Sequence, residues 1–102
     1  ATKAALLSLV RSLALELASR QIRVNSISPG YIDTPIVQKI EMSKAAYDAA
    51  AAQVPLSRWG ESGEIGEVAA FLLSDAASYV SGQDLIVDGG LVGAHNFKGG
   101  EV

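Results

Sequence analysis

The sequence contains no cysteine. That excludes disulfides, thiol nucleophiles and thiolate metal sites, and it fits a reducing, cytoplasmic compartment. Histidine occurs once, at His95, with no second ligand type at metal spacing, so no metal site is expected. Positive charge is also scarce: the net charge is −3 and no basic cluster appears, which argues against nucleic acid or an acidic membrane surface as a partner. No apolar run reaches the roughly 18 residues that a membrane span needs. What the chain has is aliphatic bulk. Hydrophobic residues make up 49% and charged ones 19%, an ordinary globular balance with more to bury than 102 residues can supply for themselves. That length allows one domain and not two.

The stretch that organises the chain is Arg23 to Pro35, RVNSISPGYIDTP. Ile22, Val24 and Ile27 read as a strand over Ile22 to Ser28, followed by a turn at Pro29-Gly30. Pro29 disfavours helix at Ser28, and Gly30 offers a backbone without side-chain clash. Thr34 is placed to cap a helix with Pro35 at its first position, where a missing N–H costs nothing. Strand, loop, helix start is the arrangement beside which ligands sit in open α/β sheets.

Before this stretch, Ala1 to about Ser19 is rich in Ala and Leu without Gly or Pro, which predicts a helix. Leu6, Val10, Leu13 and Leu17 form one apolar stripe flanked by Leu9; Ala4, Leu7, Ala14 and Ala18 form a second face with Arg11 among them. Two apolar faces imply two partners, one of them potentially another subunit. The helix opens without a cap, as a cut inside an element would. After Pro35, helical stretches are expected at about Ile36 to Met42 and Lys44 to Gln53, the latter stopping ahead of Pro55. This middle section is poor in large apolar residues and reads as a cover over the site, or as a solvated surface pair, and not as core. Ser57 to Gly63 reads as a polar loop around Trp59, Ser62 as a cap for a helix from Glu64 to Leu73, Ser74 to Tyr79 as one more turn, and Gln83 to Val87 as a buried strand. Leu91 to Val102 has no assignable pattern. Two strands do not make a stable sheet, so the chain is expected to complete a larger parallel one.

In this order the residues resemble a known family. ATKAAL at 1–6 is similar to the end of the Tyr-x-x-x-Lys motif of the short-chain dehydrogenase/reductases, with Lys3 as its lysine; RVNSISPG at 23–30 resembles that family's strand and Pro-Gly turn, with Thr34 beyond it. FLLSDAASYVSG at 71–82 and VDGG at 87–90 resemble its closing helix and last strand. The resemblance runs from Ala1 to about Gly90. It implies an α/β fold, the C-terminal portion of a Rossmann-type doubly wound parallel sheet. Residues 1–102 would form the C-terminal half of a single dinucleotide-binding domain, with 91–102 as a tail. The family's tyrosine, four residues before Lys3, falls outside the chain. Its phosphate loop, its adenine-ribose selector and its catalytic serine belong to the absent N-terminal half. ESGEIG at 61–66 departs from the common pattern, which has proline before the acidic pair and alanine at Gly66.

The resemblance further implies an NAD- or NADP-dependent oxidoreductase that moves hydride between nicotinamide and a secondary alcohol or ketone, assembled as a homodimer or homotetramer. Lys3 would be catalytic, since residues i and i+4 share a helix face and an ammonium there favours the ionised phenol, and it would also hold the nicotinamide ribose. Pro29, Gly30, Ile32 and Thr34 would border the nicotinamide, Gly30 by close approach, Ile32 through its backbone and Thr34 through its hydroxyl or N–H. The competing reading of the same residues is a surface lysine and a tight turn with an N-cap. Asn25 reads as a residue tying loops together, Arg58 and Trp59 as packing for the closing loop, and Tyr47 and Met42 as possible pocket residues. Gly89, Gly90 and Gly93 suggest a phosphate cradle, but no helix is expected after them. The alternative to an enzyme is a non-catalytic homologue used for assembly or ligand sensing. The chain by itself is expected to be inactive.

Overall fold

The computed structural model describes residues 2–40 and 42–96, with side chains as far as residue 93. The chain divides into two units, residues 1–28 with 66–85 and residues 29–65 with 86–102.

In the first unit, helix α1 spans Thr2–Leu17 and tightens into a 3-10 turn at Ala18–Arg20. Gln21, in the left-handed region at φ 60°, ends it, and its N–H donates to the Ala18 carbonyl. The buried face of α1 holds Val10 and Ala14, with Leu7, Leu13 and Leu17 half-buried. Within this chain the covered side draws on both expected faces. Leu6 and Leu9 stay 52% and 53% exposed, Ala4, Arg11 and Ala18 are exposed, and Leu7 and Ala14 face inward with Val10. With aliphatic residues on both expected faces, no periodic signal selects one of them; local fit does, and the small Ala14 admits Gly82, where an added Cβ would lie 3.4 Å from the Ala14 Cβ.

Strand β1 is Ser26–Pro29, shorter than the expected Ile22 to Ser28. Ahead of it, side chains replace ladder bonds. The Arg23 guanidinium donates to the carbonyls of Val80 and Ser74, the Ser81 hydroxyl accepts the Val24 N–H, and Asn25 donates to the Val80 carbonyl at 3.0 Å while accepting the Gln83 N–H at 3.1 Å. Asn25 thus ties loops together, as its sequence position suggested. β1 pairs with a strand over Asp84–Val87. The Ser26 N–H donates to the Gln83 carbonyl and the Gly30 N–H to that of Val87, so both strands advance together and the pairing is parallel. Asp84 accepts both the Ser26 and Ser28 hydroxyls at 2.8 and 2.9 Å. The remaining core of this unit is Leu72 and Ala77, the latter in a 3-10 turn at Asp75–Ala77.

In the second unit, two short strands absent from the sequence reading, β2 at Ile32–Asp33 and β3 at Gly60–Glu61, pair in parallel with Ile32 opposite Gly60 and Asp33 opposite Glu61. With these named, the strand at Asp84–Val87 is β4. Helix α2 covers Pro35–Lys39, ending short of the expected Met42, and α3 covers Lys44–Gln53 as expected. The Ser43 hydroxyl accepts the Ala46 N–H at the start of α3. Helix α4, Ser62–Leu73, begins two residues before the expected Glu64, so Ser62 lies inside it. Glu64 instead reaches back to the Glu61 N–H at 2.9 Å, one half of a capping box.

The core of the second unit is Val54 and Trp59. The Tyr47 ring stacks on Trp59 at 4.7 Å and 6°, and Tyr31 sits tilted on it at 5.4 Å. The middle section, read as cover or solvated surface and not as core, buries no residue of α3; the half-buried Tyr47 is its one large side chain packed on Trp59, and one aromatic can anchor a helix rich in alanine. The tail also holds an unexpected element: α5, Leu91–Asn96, follows Gly89-Gly90, and residues 97–102 lie outside the described residues. No described helix is long and apolar enough to cross a membrane.

Candidate functional site

The run from the end of β1 to the start of α2 carries Pro29, Gly30, Ile32 and Thr34, all in the second unit. Pro29 is exposed at the last position of β1, where its missing N–H breaks no ladder bond recorded for that strand. Gly30 has a local reason to be glycine. An added Cβ would lie 2.7 Å from the Asp88 Cβ and 2.9 Å from its Cα, so the close approach it permits is to the chain after β4. Ile32 is half-buried in β2, with its Cδ1 filling the space beside Gly60. Thr34, half-buried, caps α2: its hydroxyl accepts the Val37 N–H at 3.4 Å, and Pro35 follows at the first helical position. That long bond engages an oxygen lone pair and leaves the hydroxyl proton free to be donated.

A cleft of about 130 Å³ in the same unit is lined by Tyr31, Ile32, Leu56, Arg58, Gly60, Glu64, Val87, Asp88 and Gly89. Of the expected site residues it takes in Ile32. It is smaller than the ~300 Å³ at which pockets begin to enclose a small molecule, and its charged side chains already have partners. Arg58 grips Glu64 with two bonds of 2.8 Å. Those bonds, joined by the Glu61 N–H, hold the Glu64 carboxyl down at about 2, and the same contact raises the Arg58 guanidinium. Asp88 accepts the Gly90 and Val92 N–H groups, each at 2.9 Å. Its carboxyl is lowered first by the Val92 bond, against the opposing effect of partial burial. This carboxylate occupies the place a bound phosphate would need, so the glycines at 89 and 90 serve a turn at φ 65° and 95° and not an anion cradle. Asp-Gly-Gly ahead of an apolar pair was the readable signal for that capped helix.

Tyr47 does not line the cleft. Its hydroxyl donates to Asp33 Oδ2 at 3.1 Å, and burial, then this bond, holds the phenol above its ordinary range. Met42 is exposed. Asp33, unremarked in the sequence, accepts this bond one residue before Thr34; nothing local could reveal it, because Asp33 ends β2 and its partner lies fourteen residues on, in α3. Lys3 belongs to the first unit and is exposed in the first turn of α1. His95 falls in α5, beyond the described side chains, and among the described residues no cluster suited to a metal occurs.

A family model described as enoyl-(acyl carrier protein) reductase matches residues 1–92. The chain is 44% identical over 92 residues to the 3-oxoacyl-[acyl-carrier-protein] reductase FabG of Thermotoga maritima, covering 90% of this chain and 37% of the relative. A solved 4-hydroxyisoleucine dehydrogenase complexed with NADH superposes with a TM-score of 0.82 at 34% identity, over 89% of this chain and 37% of that one. An Agrobacterium tumefaciens protein, provisionally a 2-deoxy-D-gluconate 3-dehydrogenase and carrying NADP, superposes with a TM-score of 0.78 at 41% identity, over 85% and 35%. The chain thus spans little more than a third of the length of the relatives it matches. Its α/β architecture with parallel pairing is that of their Rossmann-type fold. With a match through residue 92 and four motifs in order, the chain belongs to the short-chain dehydrogenase/reductase family.

Proposed function

We propose that the chain is the C-terminal half of an NAD- or NADP-dependent oxidoreductase that transfers hydride between the nicotinamide and a secondary alcohol or ketone. The observation that carries this reading is Thr34: a half-buried hydroxyl at the junction of β2 and α2, with its proton uncommitted among the described hydrogen bonds. A carboxamide oxygen is a fitting acceptor for such a donor. The relatives' cofactors, NADH in one solved structure and NADP in another, support the assignment without choosing between them.

In this reading the bound nicotinamide supplies or accepts the hydride. The residues of this chain do the rest. Thr34 holds the carboxamide, Pro29 and Gly30 shape the approach, and Ile32 offers its backbone. Lys3 holds the nicotinamide ribose and, by its charge, keeps the upstream tyrosine's phenol poised to exchange the alcohol proton. The intact protein is a cytoplasmic homodimer or homotetramer acting on a small molecule, with neither nucleic acid nor membrane as partner. The exposed Leu6 and Leu9 of α1 are apolar surface available for such assembly.

The test is Thr34→Val in the full-length protein, titrated with NADH and NADPH by cofactor fluorescence. Valine keeps the shape and removes the hydroxyl, at a typical cost of about 1–3 kcal/mol when a buried partner is left unsatisfied. Weakened binding of the reduced cofactor is expected. An unchanged affinity would leave Thr34 as a helix cap alone.

A further inference from the structure

Helix α3 buries no residue of its own, yet one side chain on it is held from three directions. The Tyr47 ring lies flat on Trp59, 4.7 Å between centroids and 6° between planes, and Trp59 is only 7% exposed. The Trp59 indole N–H donates to the Tyr47 carbonyl at 3.0 Å, which fixes the main chain as well as the ring. The Tyr47 hydroxyl then reaches Asp33 Oδ2 at 3.1 Å. Stacking alone would have anchored the helix, and phenylalanine would stack as well. The hydroxyl therefore serves its acceptor.

Asp33 is the last residue of β2, in register with Glu61, and its carbonyl carbon is bonded to the nitrogen of Thr34. On the other side Thr34 passes at once into α2. A two-residue strand is a weak constraint, because it brings little ladder bonding. The remaining described side-chain bond to Asp33, from Gln38 at 3.5 Å, is at the limit of a hydrogen bond. The Tyr47 hydroxyl is thus the firmest side-chain hold on the residue that delivers Thr34.

We propose that Tyr47 is a positioning residue for the nicotinamide end of the site: acting through Asp33, its hydroxyl fixes where Thr34 presents its own. This rests on the reading of Thr34 given above. Tyr47 touches neither substrate nor cofactor in this scheme. The phenol is well suited to the task, since burial and the Asp33 contact keep it protonated and a donor throughout the ordinary pH range.

The experiment compares Tyr47→Phe with wild type in the full-length protein, using two probes by calorimetry: the reduced cofactor (NADH or NADPH, whichever binds) and the matching nicotinamide-free fragment, ADP-ribose or its 2′-phosphate. Loss of one hydrogen bond predicts about two- to tenfold weaker binding of the reduced cofactor, with the fragment's affinity unchanged. Asp33→Asn, which retains an oxygen to accept the phenol, should stay near wild type, whereas Asp33→Ala should match Tyr47→Phe, the double variant adding nothing. Equal weakening of both probes would make Tyr47 a general structural staple and overturn the proposal. So would an unchanged cofactor affinity in Tyr47→Phe while Thr34→Val weakens it. If Thr34→Val also leaves cofactor affinity unchanged, the underlying reading of Thr34 fails as well.

Discussion

Replacing Gly30 by alanine in the full-length protein tests whether the end of β1 is pressed against the chain after β4. The added methyl would sit 2.7 Å from the Asp88 Cβ, 2.9 Å from its Cα and 3.4 Å from its carbonyl oxygen. Carbon atoms rest at about 3.5–4.0 Å, so close to 1 Å of movement is needed. No rotamer can provide it, because the obstructing atoms are main chain or bonded directly to it. Overpacking of this kind costs about 1–3 kcal/mol. The shift also strains the Gly30 N–H to Val87 carbonyl bond, now 3.0 Å long, and disturbs the Asp88 side chain that caps α5. A further ~1 kcal/mol is a fair allowance for that bond. The total of about 2–4 kcal/mol corresponds to a fall in Tm of about 5–15 °C at ~2–4 °C per kcal/mol for a domain of this family's size. Gly66→Ala is the control. It lies exposed in α4 with nothing within 4 Å of the added methyl, and alanine should stabilise the helix by up to about 1 kcal/mol. Thermal unfolding followed by circular dichroism should therefore move in opposite directions for the two glycines. A Gly30→Ala protein melting with wild type would refute the contact and, with it, the account of why this position is glycine.

Two further outcomes follow from the same structure. The Glu64 carboxyl is depressed to about 2 from 4.5, so its contribution to stability is complete above its ordinary range and is lost as pH falls from 4.5 through about 2. Glu64→Gln should flatten the fall in Tm over that window; because both partners are roughly half exposed, at 52% and 44%, the effect is modest and shrinks with salt, and parallel curves for the two proteins would contradict it. The isolated chain should bind neither NADH nor NADPH tightly, since in the proposed assignment the pyrophosphate and adenine contacts lie in the absent half; micromolar affinity in a fluorescence titration would overturn that division.

Much of the fold is legible where local chemistry decides it. Helix α3 falls at Lys44–Gln53 because Ser43 caps it and Pro55 forbids its continuation, and Thr34 with Pro35 marks the start of α2 in the same way. The β4 run is apolar and bounded by glycine. The failures are of another kind. Ile22 and Val24 alternate like a strand, yet Arg23 and Asn25 bond to carbonyls more than fifty residues away, and no window of sequence contains both ends of those bonds. β2 and β3 are two residues each, too short for any period to register. On α1 both faces are aliphatic, so the choice of Val10 and Ala14 as the buried side is made by the segments of the chain that pack on them, Gly82 among them. Of the candidate site, the cap at Thr34 was readable; the turn expected at Pro29-Gly30 is not formed, since Pro29 closes β1 and the chain bends one residue later, at Tyr31. The Asp33–Tyr47 bond was not readable, since it depends on Trp59 to aim the phenol.

The central claim, that this chain carries one half of a dehydrogenase active site, is tested most directly by Lys3→Met in the full-length protein. Methionine preserves the unbranched length and the helix propensity of an exposed first-turn position, so the fold should persist while the charge is lost. The phenol that the proposal places four residues before Lys3 should then return towards its unperturbed value near ~10. The measurement is kcat for alcohol oxidation as a function of pH. The account predicts a fall of at least tenfold, equivalent to about 1.4 kcal/mol of transition-state stabilisation, with the pH profile displaced upward. A folded Lys3→Met protein with wild-type kcat and an unmoved profile would contradict it and return Lys3 to the ordinary surface.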